Sequence, residues 1–343
     1  MDYFHTQEYF RFLIFLLIFT FLIFGKRLWK VIPIFLVLIL LALPFKTTDG
    51  ALSLREKIAY NLRESNKAIA VILPDKYIAK QNADKEEIKV IFKDYEDAIK
   101  MINKSDTVDI FPWEIVVPYV FDLNWSPRPV FQSCTVYNKE LNTINAEHFK
   151  GEKAPSKIIY TIGSIDERYA IFDEPLVFQE LLKNYKFIYS DIEGIGVLEK
   201  KSAGDKNFEE SGISNLNAKF NQVIDVPKVN NGYIFCKIDI KQNIYGRIRN
   251  LFYKGGYMWM KFYFEDNTKE PITKKIVREN GKYGFYISNY IENISDLRDV
   301  FQQQDTFKDS INNIKSIELI TNSPSSYNDN FTVEFYKLDF KKS

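Results

Sequence analysis

Two apolar runs in tandem open the chain, and few folds other than a membrane hairpin can accommodate both. Phe12–Phe24 is interrupted only by Thr20, and Val31–Phe45 only by two prolines and an alanine. Each run holds twelve Phe, Leu, Ile or Val residues, worth roughly −4 to −7 kcal/mol of insertion free energy against about +3 for one central Lys or Arg. Extended to Tyr9–Gly25 and Leu28–Phe45, they reach roughly 25 to 27 Å at 1.5 Å per residue, slightly under a ~30 Å hydrocarbon core. Arg11 and Lys30 then snorkel to the interface. No small-residue cleavage site follows the first run, so a signal peptide fits less well. The pattern predicts two transmembrane helices over 1–46. Lys26, Arg27 and Lys30 in the short link place it in the cytoplasm, which puts both termini and everything after Lys46 on the extracytoplasmic side.

Composition narrows the partners. Lys plus Arg (46) nearly equals Asp plus Glu (45), so no basic field exists to hold a phosphate backbone, and nucleic acid is excluded as a partner class. Cys134 and Cys236 stand 102 positions apart, which reads as two separate thiols and not a disulfide framework. His5 and His148 are too few for a His-rich zinc site. Neither a G-x-G-x-x-G nor a G-x-x-x-x-G-K-[ST] motif occurs, so no nucleotide cofactor is implied.

From 47 to 200 the chain alternates strand and helix signals. Ala68–Leu73 is a short apolar run ended by Pro74, as for a strand buried on both faces. Asp84 and Glu87 form a capping-box pattern ahead of Ile88, Ile91, Phe92, Tyr95, Ile99 and Ile102 at helical spacing. Thr107–Phe111, Val130–Cys134 and Lys157–Ile162 read as further strands, and Phe187–Tyr189 with Gly196–Leu198 as terminal ones. Pro112–Tyr119, a segment capped by Asn138 through Lys150, and Pro175–Asn184 read as helices. This rhythm predicts a Rossmann-like, three-layer α/β domain on a mostly parallel sheet.

The polar stretch 201–217 reads as a linker. Beyond it, Tyr233–Ile240 and Tyr257–Phe264 alternate apolar and polar residues with period two. Asn280-Gly281 suits a hairpin turn between Lys274–Arg278 and Tyr283–Ser288. With Ala218–Val226, Lys315–Thr321 and Phe331–Phe340 as strands and one helix near Ser295–Gln303, residues 218–343 predict an all-β sandwich, jelly-roll-like.

Unusual residues collect where the strands of the first domain end, the edge at which open α/β sheets place ligands. Trp113 and Glu114 follow the second strand, Arg128, Gln132, Ser133 and Tyr137 surround the third, and Asp166, Arg168, Asp173 and Glu174 follow the fourth. Carboxylates near a guanidinium and amides suit a polar ligand such as a glycan, with Trp113 or Trp125 as a stacking face. The plainer account is that the Pro-Trp and Pro-Arg-Pro loops fix themselves. Glu114 with Asp166 or Asp173 would be needed for glycan acid–base chemistry. Tyr253, Tyr257, Trp259 and Tyr263 form a second aromatic strip, in the sandwich.

Asp109-Ile-Phe-Pro-Trp-Glu114, Leu123-Asn-Trp-Ser-Pro-Arg-Pro-Val-Phe-Gln-Ser133, Tyr137, Leu141, Asn145, Ala154-Pro155, Asp166-Glu-Arg168 and Asp173-Glu-Pro175 together resemble a family of uncharacterised bacterial polytopic membrane proteins labelled glycosyltransferase-like. The likeness covers about residues 50 to 340, the outer soluble region that follows the family's many spans. It implies a bacterial inner-membrane protein with its soluble domains on the periplasmic side. On that basis the chain is expected to be an envelope accessory or binding protein with a membrane-protein partner. Trp113, Glu114, Arg128, Gln132, Tyr137, Asn145, Asp166, Arg168 and Asp173 are the expected ligand-binding residues. A glycan-processing enzyme using Glu114 and the Asp166–Asp173 loop, or a purely structural envelope subunit, are the alternatives.

Overall fold

The computed structural model describes residues 46–47, 50–51, 74–192, 194–202, 208–229, 231–252, 255–302 and 312–340. The two apolar runs and the Ala68–Leu73 strand lie outside those residues. Among the described residues no helix is long and apolar enough to cross a membrane. Contacts divide the chain into two units, 1–84 and 85–343. In the first, Lys46–Thr47 pairs antiparallel with Gly50–Ala51. Helix α1, Pro74–Ile91, starts on its proline, whose missing N–H and fixed φ suit a first turn. Asp84 therefore lies inside a helix and caps nothing.

After the end of α1, the second unit has short helical turns over Lys93–Tyr95 and Glu96–Ile99 and contains a five-stranded sheet. Its strands are β1 (Thr107–Phe111), β2 (Asn124–Trp125), β3 (Lys157–Thr161), β4 (Tyr185–Ser190) and β5 (Ile195–Lys200), in the order β2-β1-β3-β5-β4. Helices α2 (Lys139–Lys150) and α3 (Pro175–Asn184) connect them. β1 runs parallel to β2 and β3, but β5 is antiparallel to both β3 and β4. The expected mostly parallel sheet is thus a mixed one. The reason is loop length: residues 191–194 are too few for a crossover, so β4 and β5 must form a hairpin. Its turn closes with Ile195 N donating to Asp191 Oδ1 at 2.9 Å and Gly194 at φ 87°.

Val130–Cys134 is not a strand. The amide and carbonyl of Val130 bond to the Asn145 side chain, and the Phe131 carbonyl accepts from Arg128. With those groups taken by side chains, a ladder has nothing to pair with, and the chain turns through a 3₁₀ segment at Ser133–Thr135.

Eight further strands build two antiparallel sheets. They are β6 (Phe208–Lys219), β7 (Val223–Asp225), β8 (Tyr233–Asp239), β9 (Met258–Phe264), β10 (Ile272–Ile276), β11 (Phe285–Tyr286), β12 (Ile314–Thr321) and β13 (Asn330–Phe340). One sheet has the order β11-β8-β13-β6, the other β10-β9-β12-β7. The pairing is nested, with the first strand on the last, second on seventh, third on sixth and fourth on fifth. β9 shows the expected alternation, with Met258, Met260, Phe262 and Phe264 buried and Trp259, Lys261 and Tyr263 half-exposed. Helices α4 (Ile244–Phe252) and α5 (Ile294–Gln302) lie in its connections.

Two readings of this half change. Residues 208–217 of the expected linker belong to β6, an edge strand whose polar composition suits its exposed outer side. Asn280-Gly281 makes no hairpin turn. Asn280 is fully buried in a 3₁₀ segment over Arg278–Tyr283, and β10 and β11 go to different sheets.

One face of the five-stranded sheet, with Val108, Ile110, Ile159, Ile195 and Val197, packs under Ala98, Val117 and neighbouring apolar residues. Its other face, with Phe111, Ile158, Tyr160 and Leu198, shares a single apolar cluster with α2, α3 and buried residues of both antiparallel sheets. Phe172 stacks on Phe285 at 3.9 Å, and Asn280 Nδ2 donates to the carbonyls of Val136, Phe172 and Asp173 at 3.0, 3.2 and 2.8 Å. The core does not divide between 200 and 218. Residues 85–343 should therefore unfold in one transition seen alike by far- and near-ultraviolet circular dichroism. Phe285→Ala should lower the midpoint of all probes together at a cost of about 3–5 kcal/mol. Two separated transitions would contradict a shared core.

Candidate functional site

The loops after β1 and β3 and the segment 126–137 meet at one end of the five-stranded sheet, and Arg128 is the residue they meet around. Its neighbours Pro127 and Pro129 are exposed while Arg128 itself is 1 % exposed, so the rigid Pro-Arg-Pro turn drives the side chain inward. There Nε donates to Glu174 Oε1 at 3.1 Å, and Nη1 donates to Asp109 Oδ2 at 3.0 Å and to the Ile110 carbonyl at 2.9 Å. Nη2 reaches the carbonyls of Pro112 and Phe131 and Ser133 Oγ, at 3.0, 2.9 and 3.0 Å. The guanidinium also lies 3.7 Å from the centroid of the Phe111 ring, a cation–π contact. Burial alone would lower the Arg128 pKa, but Glu174 and Asp109 more than offset it, and the net shift is upward. Asn145 completes the group. Its Nδ2 donates to Glu174 Oε2 at 2.7 Å while its amide holds both backbone groups of Val130.

A second set of contacts ties the loops to one another. The Gly163 Cα is packed so closely on Trp113 that a Cβ there would stand 3.3 Å from the indole. Arg168 Nη1 donates to the Cys134 carbonyl at 2.9 Å and lies 3.9 Å from Asp173 Oδ1. Ser164 Oγ donates to Asp173 Oδ2 at 2.6 Å. Glu167 and Tyr169 bond through their backbones to Lys275 on β10, which joins the loop to the sandwich edge. Asp166 and Glu167 occupy left-handed backbone at φ 53° and 61°. Two consecutive non-glycine residues there store strain that the flanking bonds must hold.

The expected site residues separate into three groups. Arg128, Asn145 and Asp173 are buried, with their polar groups spent on the fold. Trp113 and Arg168 are half-exposed and brace loops, whereas Gln132, Tyr137 and Asp166 are exposed on the rim. Glu114 is half-buried, and among the described residues no hydrogen bond or ion pair joins it to Arg168, which lies 4.0 Å from Asp166 Oδ2 and 3.9 Å from Asp173 Oδ1. The Tyr95 hydroxyl is pushed up to about 12 by burial, with Glu114 adding to the shift. Sequence reasoning overlooked Asp109 and Asn280 as organisers. A lone Asp inside the apolar run Thr107–Phe111 was the available signal for the first; Asn280 offered none beyond its turn propensity. Trp125 and Phe131, in edge contact at 6.3 Å and 38 % and 37 % exposed, add an apolar pair to the rim.

The cavity lined by Phe111, Ser133, Tyr160, Glu174 and Phe178 has a volume of about 10 Å³, room for about one water. Among the described residues no three His, Cys, Asp or Glu side chains converge to hold a metal ion. Cys134 and Cys236 are free thiols. In the antiparallel sheet that holds β9, Tyr257 and Trp259 meet edge to face at 6.1 Å, with Lys275 3.8 Å from the Tyr257 ring, and Tyr263 donates to Glu318 Oε2 at 2.6 Å. Tyr253 lies outside the described residues. No model of a known protein family matches the chain, and no curated protein matches it.

Asp173 gives this region a pH signature. Burial raises its carboxyl from 3.8 to about 6, against the opposing pull of Ser164 and Arg168. Between those values the folded state holds a proton that the unfolded chain has released, so stability falls as pH rises, by about 3 kcal/mol at most, and the loss is complete above about pH 6. Asp173→Asn should remove this slope. In urea unfolding, the variant should gain on the parent between about pH 4.5 and 7.5; an unchanged difference would show that the carboxyl is not desolvated.

Proposed function

We propose that the protein is a membrane-anchored, extracytoplasmic accessory or binding protein of a bacterial envelope complex, associated with glycan assembly or with surface or secretion machinery. Its inner-membrane hairpin tethers the soluble region, and a membrane protein is its partner. In the same reading, the C-terminal half is a jelly-roll sandwich, since nested pairing of eight strands is how one long double-stranded ribbon rolls into two sheets.

One observation carries the binding reading. The charges at the sheet end are buried in mutual hydrogen bonds, while Gln132, Tyr137 and Phe131, on the loop that the buried groups immobilise, and Trp125, at the end of β2, are exposed. A rim of that kind is preorganised, so docking on it costs little ordering entropy. Aromatic anchors amid polar groups are the residue types that dominate recognition energy. The aromatic strip around Trp259 adds a surface suited to a glycan. The enzyme alternative draws less support, because among the described residues no hydrogen bond or ion pair joins Glu114 to the Asp166–Asp173 loop.

The test separates binding from stability. Tyr137→Ala and Gln132→Ala together should reduce the partner recovered with the full chain from native membranes by about tenfold, while the unfolding midpoint stays within about 2 °C. Unchanged recovery would return the rim to an architectural role.

A further inference from the structure

Helix α4 is built inside out. A helix on a globular domain normally turns its large apolar residues to the core and its polar ones to water. Here Ile244, Tyr245 and Ile248, which share one face by their spacing, are 76 %, 57 % and 54 % exposed. Over Asn243–Asn250, the face against the protein is made of small and polar groups. Gly246 packs on the turn Pro324–Ser326, where a Cβ would stand 2.0 Å from the Ser326 carbonyl oxygen. Arg249 Nη1 donates to Ser326 Oγ at 3.2 Å and to Ser323 Oγ. Asn243 accepts from Gly246 N at 2.8 Å and donates to the carbonyls of Ser325 and Tyr327 at 2.8 and 3.0 Å. These contacts fix the rotation of the helix, so the apolar face cannot roll inward.

The local charge selects what covers that face. From Lys241 to Phe252 there are three basic residues and no acidic one, in a chain whose charges otherwise balance. Arg249 is turned to the protein and Lys241 lies 3.7 Å from Asp239, whereas Arg247 is exposed beside Ile248. Aliphatic side chains offer sugars no stacking surface. Branched aliphatics, an amphipathic tyrosine and a cation on one exposed face match the boundary between lipid headgroups and acyl chains.

We propose that α4 is an interfacial helix that lays the sandwich on an anionic bilayer surface, with Ile244, Tyr245 and Ile248 in the headgroup–acyl boundary and Arg247 against lipid phosphates. It rests on the membrane-anchored reading above, because a tether holds the domain at high effective concentration beside the same bilayer.

The experiment uses the full chain in lipid-only vesicles with about a third phosphatidylglycerol. Cys134→Ser removes the half-buried thiol, and a polarity-sensitive fluorophore is placed on Tyr245→Cys or, as a control, on Lys139→Cys on α2. Acyl-brominated lipid should quench the label at 245 about twofold more than at 139, and Ile248→Glu or purely zwitterionic lipid should erase the difference. Equal quenching at the two positions overturns the proposal. So does shielding at 245 that occurs only in native membranes, which would assign the face to a protein. Carbonate extraction of the same vesicles reads the tether separately: release by carbonate contradicts the anchored reading, while quenching still decides α4.

Discussion

A guanidinium withdrawn from water must find an acceptor for each of its N–H groups, and Arg128 finds them on four segments. Asp109 and the Ile110 carbonyl come from β1, Glu174 from the start of α3, the Pro112 carbonyl from the loop after β1, and the Phe131 carbonyl with Ser133 Oγ from the segment 126–137. Those loops have little regular structure of their own, and they are held together by the cation and by Ser133, whose N and Oγ also donate to the Pro112 carbonyl at 3.1 and 3.2 Å. Removing one member of such a buried group strands the others, which is why the cost of breaking it exceeds what the pairs contribute as a net gain. The end of the sheet is therefore ordered by one side chain more than by a ladder.

The order extends outward through Glu174 and its neighbour. Glu174 engages Asn145 on α2, while the carbonyl of Asp173 accepts from Asn280 in the sandwich half. The same segment carries Phe172, stacked on Phe285. Helices, sheet and sandwich are thus registered against one another at the point where the loops converge. This rigidity allows Asp166 and Glu167 to stay in left-handed backbone, and it leaves Tyr137 and Gln132 projecting from a surface that does not need to rearrange.

Much of the element pattern was legible in the sequence. Pro175–Asn184 appears with its expected ends, Asn138 caps α2 by accepting from Leu141 N at 2.8 Å, and the period-two runs around Tyr233 and Met258 are strands. Each of these is settled by local chemistry. The misread loop, turn and linker share another cause, since each is held by partners from another part of the chain, whereas the mixed sheet follows from the short 191–194 connection. Val130 is held by Asn145, Asn280 is drawn into the core by carbonyls more than a hundred residues earlier, and β6 is recruited by β13 although its composition suits a loop. The candidate site was legible in position but not in role. Arg128, a charge between two prolines, and Asn145, an amide that reaches from α2 to Val130, are buried because they hold that turn. The inverted polarity of α4 was invisible, because apolar spacing alone does not say which face meets the protein.

The central claim is that Arg128 holds this end of the molecule through geometry and not merely through its charge. Arg128→Lys tests it most directly, since lysine keeps the positive charge but offers three donors from a single point instead of a planar fork of five. In urea unfolding at neutral pH, the substitution should cost about 3 kcal/mol or more, close to the loss from Arg128→Ala. A cost under about 1 kcal/mol, the value typical of a solvated surface pair, would contradict the account.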